Sequence, residues 1–214
     1  MEANRITTKT LIISLASIIV IEWALRLVVS KHLFDKMIIL GAARVLEIIL
    51  ISLILVITGK GISSIGLASS QIVPGLRKGL IWSAGFGIIA FFAYAILYVA
   101  GVNALILIQT RLPTKASEII LFFFIAGMLG PAAEEIFFRG ILYGFFRRWG
   151  VLSALGLSTL LFVAAHPMSH GVLVPQVVGG IVFALAYEVE GNLLVPITIH
   201  VLGNIAIFSL SLIC

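Results

Sequence analysis

From Leu11 to Ile213 the chain runs through a succession of apolar stretches, most of them about as long as a bilayer is thick. A helix needs about 20 apolar residues to cross about 30 Å of hydrocarbon. Of the 214 residues, 61% are hydrophobic and 11% charged, with a mean hydropathy of +1.23. A soluble domain carries about 25% charged and 45–50% apolar residues. The expected fold is all-α: a polytopic transmembrane helical bundle of about seven spans (six to eight), forming one integral membrane domain over residues 1–214. The net charge of +5 and pI near 9.7 then read as headgroup anchors facing the lipid bilayer, with no nucleic-acid partner implied. A single cysteine, Cys214, allows no disulfide framework.

The polar start holds Arg5 and Lys9, and the apolar run 11–29 after it continues past any small-residue cleavage site and contains Glu22 and Arg26. It reads as a retained first helix. A second span is expected over 37–58, with Arg44 and Glu47 inside it. Residues 59–78 are too rich in Gly and Ser to cross and read as a loop with a short interfacial helix. Further spans are expected over 79–100, 118–147, 151–166, 175–187 and 193–213, with Ser117 as an N-cap and Pro167 as a stop. Arg5, Lys9, Lys60, Arg77, Lys78, Arg147 and Arg148 fall on one side of this arrangement, and Lys31, Lys36, Arg111 and Lys115 on the other. The balance favours a cytoplasmic N-terminus and puts the 168–174 loop on the outer side.

Within the fourth span, the segment 130–139 reads GPAAEEIFFR. A charge near the centre of a membrane helix costs roughly 2.5–3.5 kcal/mol, so Glu134, Glu135 and Arg139 need a reason. Glu135 and Arg139 are i,i+4 and can pair, which leaves Glu134 about 100° round the helix without a cation. Such a carboxylate suits acid–base chemistry, or an interhelical ion pair. Glu22 with Arg26 and Arg44 with Glu47 read as self-neutralising pairs within one helix, and Glu118 as a helix-start charge. Gly130-Pro131 predicts a kink that opens a wet cavity above Glu134.

Phe162 and His166 are i,i+4 on the fifth span, and His200 and Asn204 are i,i+4 on the seventh. A His and an Asn on one face can act as paired donors for an oxyanion. At 1.5 Å per residue, Glu134 lies roughly 20 Å, His166 roughly 22 Å, Asn204 roughly 18 Å and His200 roughly 12 Å from the same membrane face. Helices that share no local sequence thus place their polar groups near one level, as a common site requires.

The ordered set Glu134-Glu135-x-x-x-Arg139, Phe162-x-x-x-His166 and His200-x-x-x-Asn204 resembles the three-motif signature of the CAAX protease and bacteriocin-processing (CPBP, or Abi) family. Its members are glutamate-dependent intramembrane endopeptidases. The resemblance covers about 117–204 and implies a four-helix catalytic core within 117–213, with 1–100 as accessory spans. It implies that Glu134 activates water, that His166 orients the water or shuttles its proton, and that His200 and Asn204 hold the oxyanion. Glu135 and Arg139 would then steady the helix face, and Phe162 would pack beside the site. No cofactor is implied, and zinc on Glu134, His166 and His200 is the alternative.

The substrate so implied is a membrane-anchored or lipidated protein or peptide, and the setting an integral protein of a prokaryotic cytoplasmic membrane. Prenyl-processing relatives act on cytosolic tails, whereas the charge balance puts the site nearer the outer face. Two other readings stay open: a non-catalytic protein of the same fold, for bacteriocin immunity or partner binding, and an ion-coupled transporter that uses the buried carboxylate as proton carrier.

Overall fold

The computed structural model describes residues 6–31, 35–166 and 173–213. Arg5, His32, Pro167, most of the 168–174 loop and Cys214 lie outside the described residues. Among those described there are seven helical rods and no strand: α1 (Thr8–Ser30), α2 (Lys36–Ile57), α3 (Ile72–Val99), α4 (Ala116–Trp149), α5 (Val151–Ala164), α6 (Val174–Glu190) and α7 (Leu194–Ile213). Five of them are long and apolar enough to cross a membrane: α1, α2, α3 (in a span extended back to Ile62), α4 and α7.

Local chemistry sets the ends. The Thr7 hydroxyl accepts from the Thr10 N–H to cap α1, and the Asp35 carboxylate accepts from Met37 and Ile38 to cap α2. The Gly/Ser-rich segment expected to be a loop up to residue 78 is shorter. Its 3-10 turns, Ile62–Ile65 and Ser69–Gln71, lead straight into α3 at Ile72, with Pro74 tolerated in the first turn. Ser117 is not a cap: α4 starts at Ala116, with Lys115 at the N-cap position and no side-chain bond there.

The turn after α2 folds back under the bundle. Ile65 is buried against Gly140, and its carbonyl accepts from the Tyr187 hydroxyl. Gly66, at φ +79, lies so close to the α6–α7 turn that a Cβ would stand 2.5 Å from the Gly191 carbonyl oxygen. α3 reaches α7 the same way: a Cβ on Gly79 would meet Thr198 at 2.5 Å. Small residues let membrane helices approach backbone to backbone, where no hydrophobic drive separates them from lipid. The rest of α3, including Ile88, Ile89, Phe91 and Phe92, faces outward as a lipid-contacting surface.

α4 is the axis of the bundle, every residue from 135 to 145 being buried. It does not break at Pro131. The chain stays in the right-handed helical region at Leu129, Gly130 and Ile136, and departs from α geometry as π-helical segments at Ile125–Leu129 and Ile136–Tyr143. The missing proline donor is thus accommodated within a wider, π-helical turn. α5 is too short to span: its 14 residues extend roughly 21 Å, so its C-terminal end stops inside the bundle.

Candidate active site

Where α5 stops, four acid–base side chains converge. Glu134 and Glu135 come from α4, His166 from just past the end of α5, and His200 from α7. His166 lies one residue beyond the Ala165 cap, not on the helix proper. Its Nδ1 meets the Phe162 carbonyl oxygen at 2.8 Å. A carbonyl only accepts, so Nδ1 carries the hydrogen, and the lone pair of a neutral ring sits on Nε2. That Nε2 lies 3.9 Å from Glu134 Oε2.

His200 approaches the same oxygen from the other side, its Nε2 at 4.0 Å. Its Nδ1 is 2.8 Å from Glu135 Oε1, which also accepts from Arg139 Nη1 at 3.0 Å. Glu135 and Arg139 are completely buried. Arg139 continues to the Gly180 carbonyl oxygen on α6 at 3.2 Å and lies over the Phe162 ring, 4.4 Å from its centroid. Burying such an ion pair costs several kcal/mol per charge unless extra hydrogen bonds and ring faces offset it. These contacts offset part of that cost, Glu135 Oε2 and Arg139 Nε having no hydrogen bond among the described residues, and they bracket His200 from one side. Phe183 stacks on the other face of the imidazole, with centroids 4.6 Å apart.

Glu134 has no such partner. Its side chain is 27% exposed, yet Oε2 is buried and unbonded among the described residues. The pairing of Glu135 with Arg139, and the separation of Glu134 from it, follow the sequence expectation. So does Phe162, which packs against His166 and His200. Two features of the sequence reading change. Glu22 does not pair with Arg26: Arg44 reaches across from α2 and binds Glu22 and Glu47 together, each at 2.6 Å. The Asn204 amide and the His200 ring take different partners, Asn204 Nδ2 donating to the Ala126 carbonyl oxygen at 3.1 Å.

The Asn204 contact has a backbone cause. In the π-turn, Gly130 N–H bonds to Ile125 O, five residues back. The next bond in that register would run from residue 131 to Ala126, and Pro131 has no N–H. Asn204 supplies the missing donor and keeps its second amide hydrogen. Among the described residues, no group of three or more His, Cys, Asp or Glu side chains is spaced to hold a metal ion.

The role of Glu135 as partner of His200 was hidden in the sequence, because i,i+4 spacing to Arg139 accounts for it fully. Phe183 gave no signal, being one apolar residue in an apolar span.

The arrangement is that of a helical intramembrane site with a free carboxylate between two imidazoles. Residues 116–206 match the Rce1-like family, described as type II CAAX prenyl endopeptidase Rce1-like. The chain is also similar to the membrane-embedded CAAX protease MroQ of Staphylococcus aureus (strain USA300), with 34% identity over 105 residues, 44% of this chain and 42% of that protein. The match therefore spans less than half the length of that relative. No solved structure matches the chain significantly. By these matches the segment 116–206 is similar to CAAX proteases.

Proposed function

We propose that the chain is an intramembrane endopeptidase that hydrolyses a peptide bond near the end of a membrane-anchored or lipidated protein or peptide. The observation that carries this reading is the buried, unpartnered Oε2 of Glu134, flanked by His166 Nε2 at 3.9 Å and His200 Nε2 at 4.0 Å. Glu134 Oε2 and His166 Nε2 are two acceptors for the two hydrogens of a water molecule, whose oxygen keeps a lone pair to attack with. Glu134 takes a proton as the water oxygen adds to the peptide carbonyl. His166, its Nδ1 fixed on Phe162, orients the water through Nε2 and then relays the proton from Glu134 to the leaving amine. General acid–base catalysis of this kind contributes about 10²–10⁴-fold.

The oxyanion then needs donors. With Nδ1–H held by Glu135, His200 offers an Nε2–H only as imidazolium, and the Glu135 carboxylate balances that charge. The second amide hydrogen of Asn204 is the other donor. One such donor is worth about 10²–10³-fold in turnover. The bacterial origin of MroQ supports a prokaryotic cytoplasmic membrane as the setting.

Terminal proteomics of membrane fractions, wild type against Glu134→Gln, tests the proposal. New termini that vanish in the variant support it. An unchanged profile assigns the chain to a non-catalytic binding or immunity role. Cleavage that persists after exhaustive chelation supports the metal-free scheme. Loss on chelation and recovery with zinc assigns Glu134, His166 and His200 as ligands instead.

A further inference from the structure

The three motif segments sit on α4, on α5 with the residues just past it, and on α7, yet a further helix, α6, meets the site at two points. Its segment 179–183 reads GGIVF. Glycine is a poor helix former, so two in succession need a reason, and each has its own. A Cβ on Gly180 would stand 2.8 Å from Thr159 Cγ2 and 3.5 Å from Phe162 Cδ1, so α5 closes on α6 at that point. A Cβ on Gly179 would stand 3.2 Å from Cε2 and Cζ of Phe183, one turn further along the same helix. Gly179 thus leaves the room in which that ring lies back along α6.

The two contacts of α6 fall at opposite ends of one buried chain. Arg139 Nη1 donates to Glu135 Oε1 at 3.0 Å, and His200 Nδ1 meets the same oxygen at 2.8 Å. At the arginine end, Nη2 donates to the Gly180 carbonyl oxygen, and the guanidinium carbon lies 5.2 Å from the Phe183 centroid. At the histidine end, Phe183 lies nearly parallel to the imidazole, with 22° between the planes and 4.6 Å between the centroids. The Phe183 ring is itself buried and packs edge-on against Phe162.

One hydrogen bond fixes one atom of a ring. With Nδ1 held at Glu135, the His200 imidazole can still tilt about the line from Cβ to Nδ1. That tilt swings Nε2, which stands 4.0 Å from Glu134 Oε2. A flat ring lying on the face of the imidazole blocks the motion, because tilting drives one edge of the imidazole into it. We propose that Phe183 is a positioning residue of the hydrolytic site: it sets the plane of the His200 ring, as Glu135 sets its Nδ1, and so aims Nε2 into the space beside Glu134. Phe183 touches neither water nor the scissile bond in this scheme and acts through His200. Its effect on turnover rests on the endopeptidase reading.

The test uses the full chain in lipid vesicles at matched folded fractions, on a substrate identified by terminal proteomics, with wild type, Phe183→Leu, Phe183→Tyr and Glu134→Gln. Phe183→Leu should lower kcat by about 10- to 100-fold, the scale of a small misplacement within a site, with KM little changed. Phe183→Tyr keeps the ring face and should keep most of the wild-type rate. A readout free of turnover is the carbon-bound Hε1 proton signal of His200 in protein labelled only at histidine, identified by its loss in His200→Gln. Stacking on Phe183 shifts this signal upfield, and the shift should disappear in Phe183→Leu and survive in Phe183→Tyr. If Phe183→Leu does not fold, Gly179→Ala takes its place: its methyl pushes the Phe183 ring, and a smaller loss of kcat and of the upfield shift is expected. An unchanged kcat, an effect on KM alone, or a His200 signal that does not move overturns the proposal while Glu134→Gln stays inactive. Cleavage by Glu134→Gln at the wild-type rate overturns the endopeptidase reading instead, and with it the assigned role in turnover.

Discussion

Asn204 donates to the carbonyl of Ala126, and it does so because Pro131, the residue that should serve that carbonyl in the π-turn, has no N–H to give. A motif residue on α7 is thereby tied to the α4 backbone at Ala126, eight residues before Glu134. Position and chemistry meet in a single amide.

Replacing Asn204 with Ala should therefore cost stability as well as turnover. An orphaned buried acceptor costs about 1–3 kcal/mol, or about 2–10 °C in unfolding midpoint for a chain of this size. Pro131→Ala restores a backbone donor, so the Asn204→Ala penalty should shrink in that background. Equal penalties in both backgrounds would mean that the π-turn does not need the amide.

The Glu135–Arg139 bracket makes a different prediction. Arg139→Met leaves Glu135 buried beside His200 without its cation, a change worth about 3–5 kcal/mol. Membrane-inserted protein should melt lower by about 6–15 °C. Glu135→Gln replaces the carboxylate that holds His200 Nδ1 while leaving the ring's neighbours in place. Turnover should fall by about 10²-fold with little change in KM, and a KM effect alone would contradict the assigned role.

Near the C-terminal end of α6, Glu188 accepts from Arg147 at 2.9–3.1 Å and from Tyr143 at 2.8 Å. Burial pushes this carboxyl up, but the bonds from Arg147 and Tyr143 outweigh it and hold the group below its ordinary 4.5. A carboxyl lowered on folding adds stability above about pH 4.5 and loses it as pH falls through the folded value. The midpoint gap between wild type and Glu188→Gln, measured from pH 7 to pH 3.5, should close at the acid end. A gap that widens in acid has the wrong sign for this linkage.

Helix contacts give a test free of catalysis. Gly79→Ala drives a methyl into Thr198 and should cost about 1–3 kcal/mol, whereas Gly85 faces open space. Gly85→Ala should be neutral or gain up to about 1 kcal/mol. Similar melting of both variants would contradict the α3–α7 packing.

Much of this was legible in the sequence because a charge in hydrocarbon is too costly to be idle. Glu134, Glu135, Arg139, His166 and His200 stood out against their spans, and rise per residue placed them near one depth. Partnership across helices was not legible, since it depends on how each rod is rotated about its axis. Glu22 therefore looked like a mate for Arg26, when Arg44 on the next helix takes it. Nor could the Gly/Ser composition of 59–78 reveal that α3 begins at Ile72, because burial of Gly75 against Asn192 and of Gly79 against Thr198 of α7 overrides their poor helix propensity. That a π-turn and the Asn204 amide would accommodate Pro131 was not legible either, since both depend on α7 lying against α4.

The central claim is that Glu134 activates the water. Cleavage of one membrane-anchored substrate by purified protein in lipid vesicles, comparing wild type with Glu134→Gln and His166→Ala at matched folded fractions, tests it most directly. The account predicts a rate loss of at least about 10³-fold for Glu134→Gln and about 10²-fold for His166→Ala. Wild-type rates in the folded Glu134→Gln protein would contradict it.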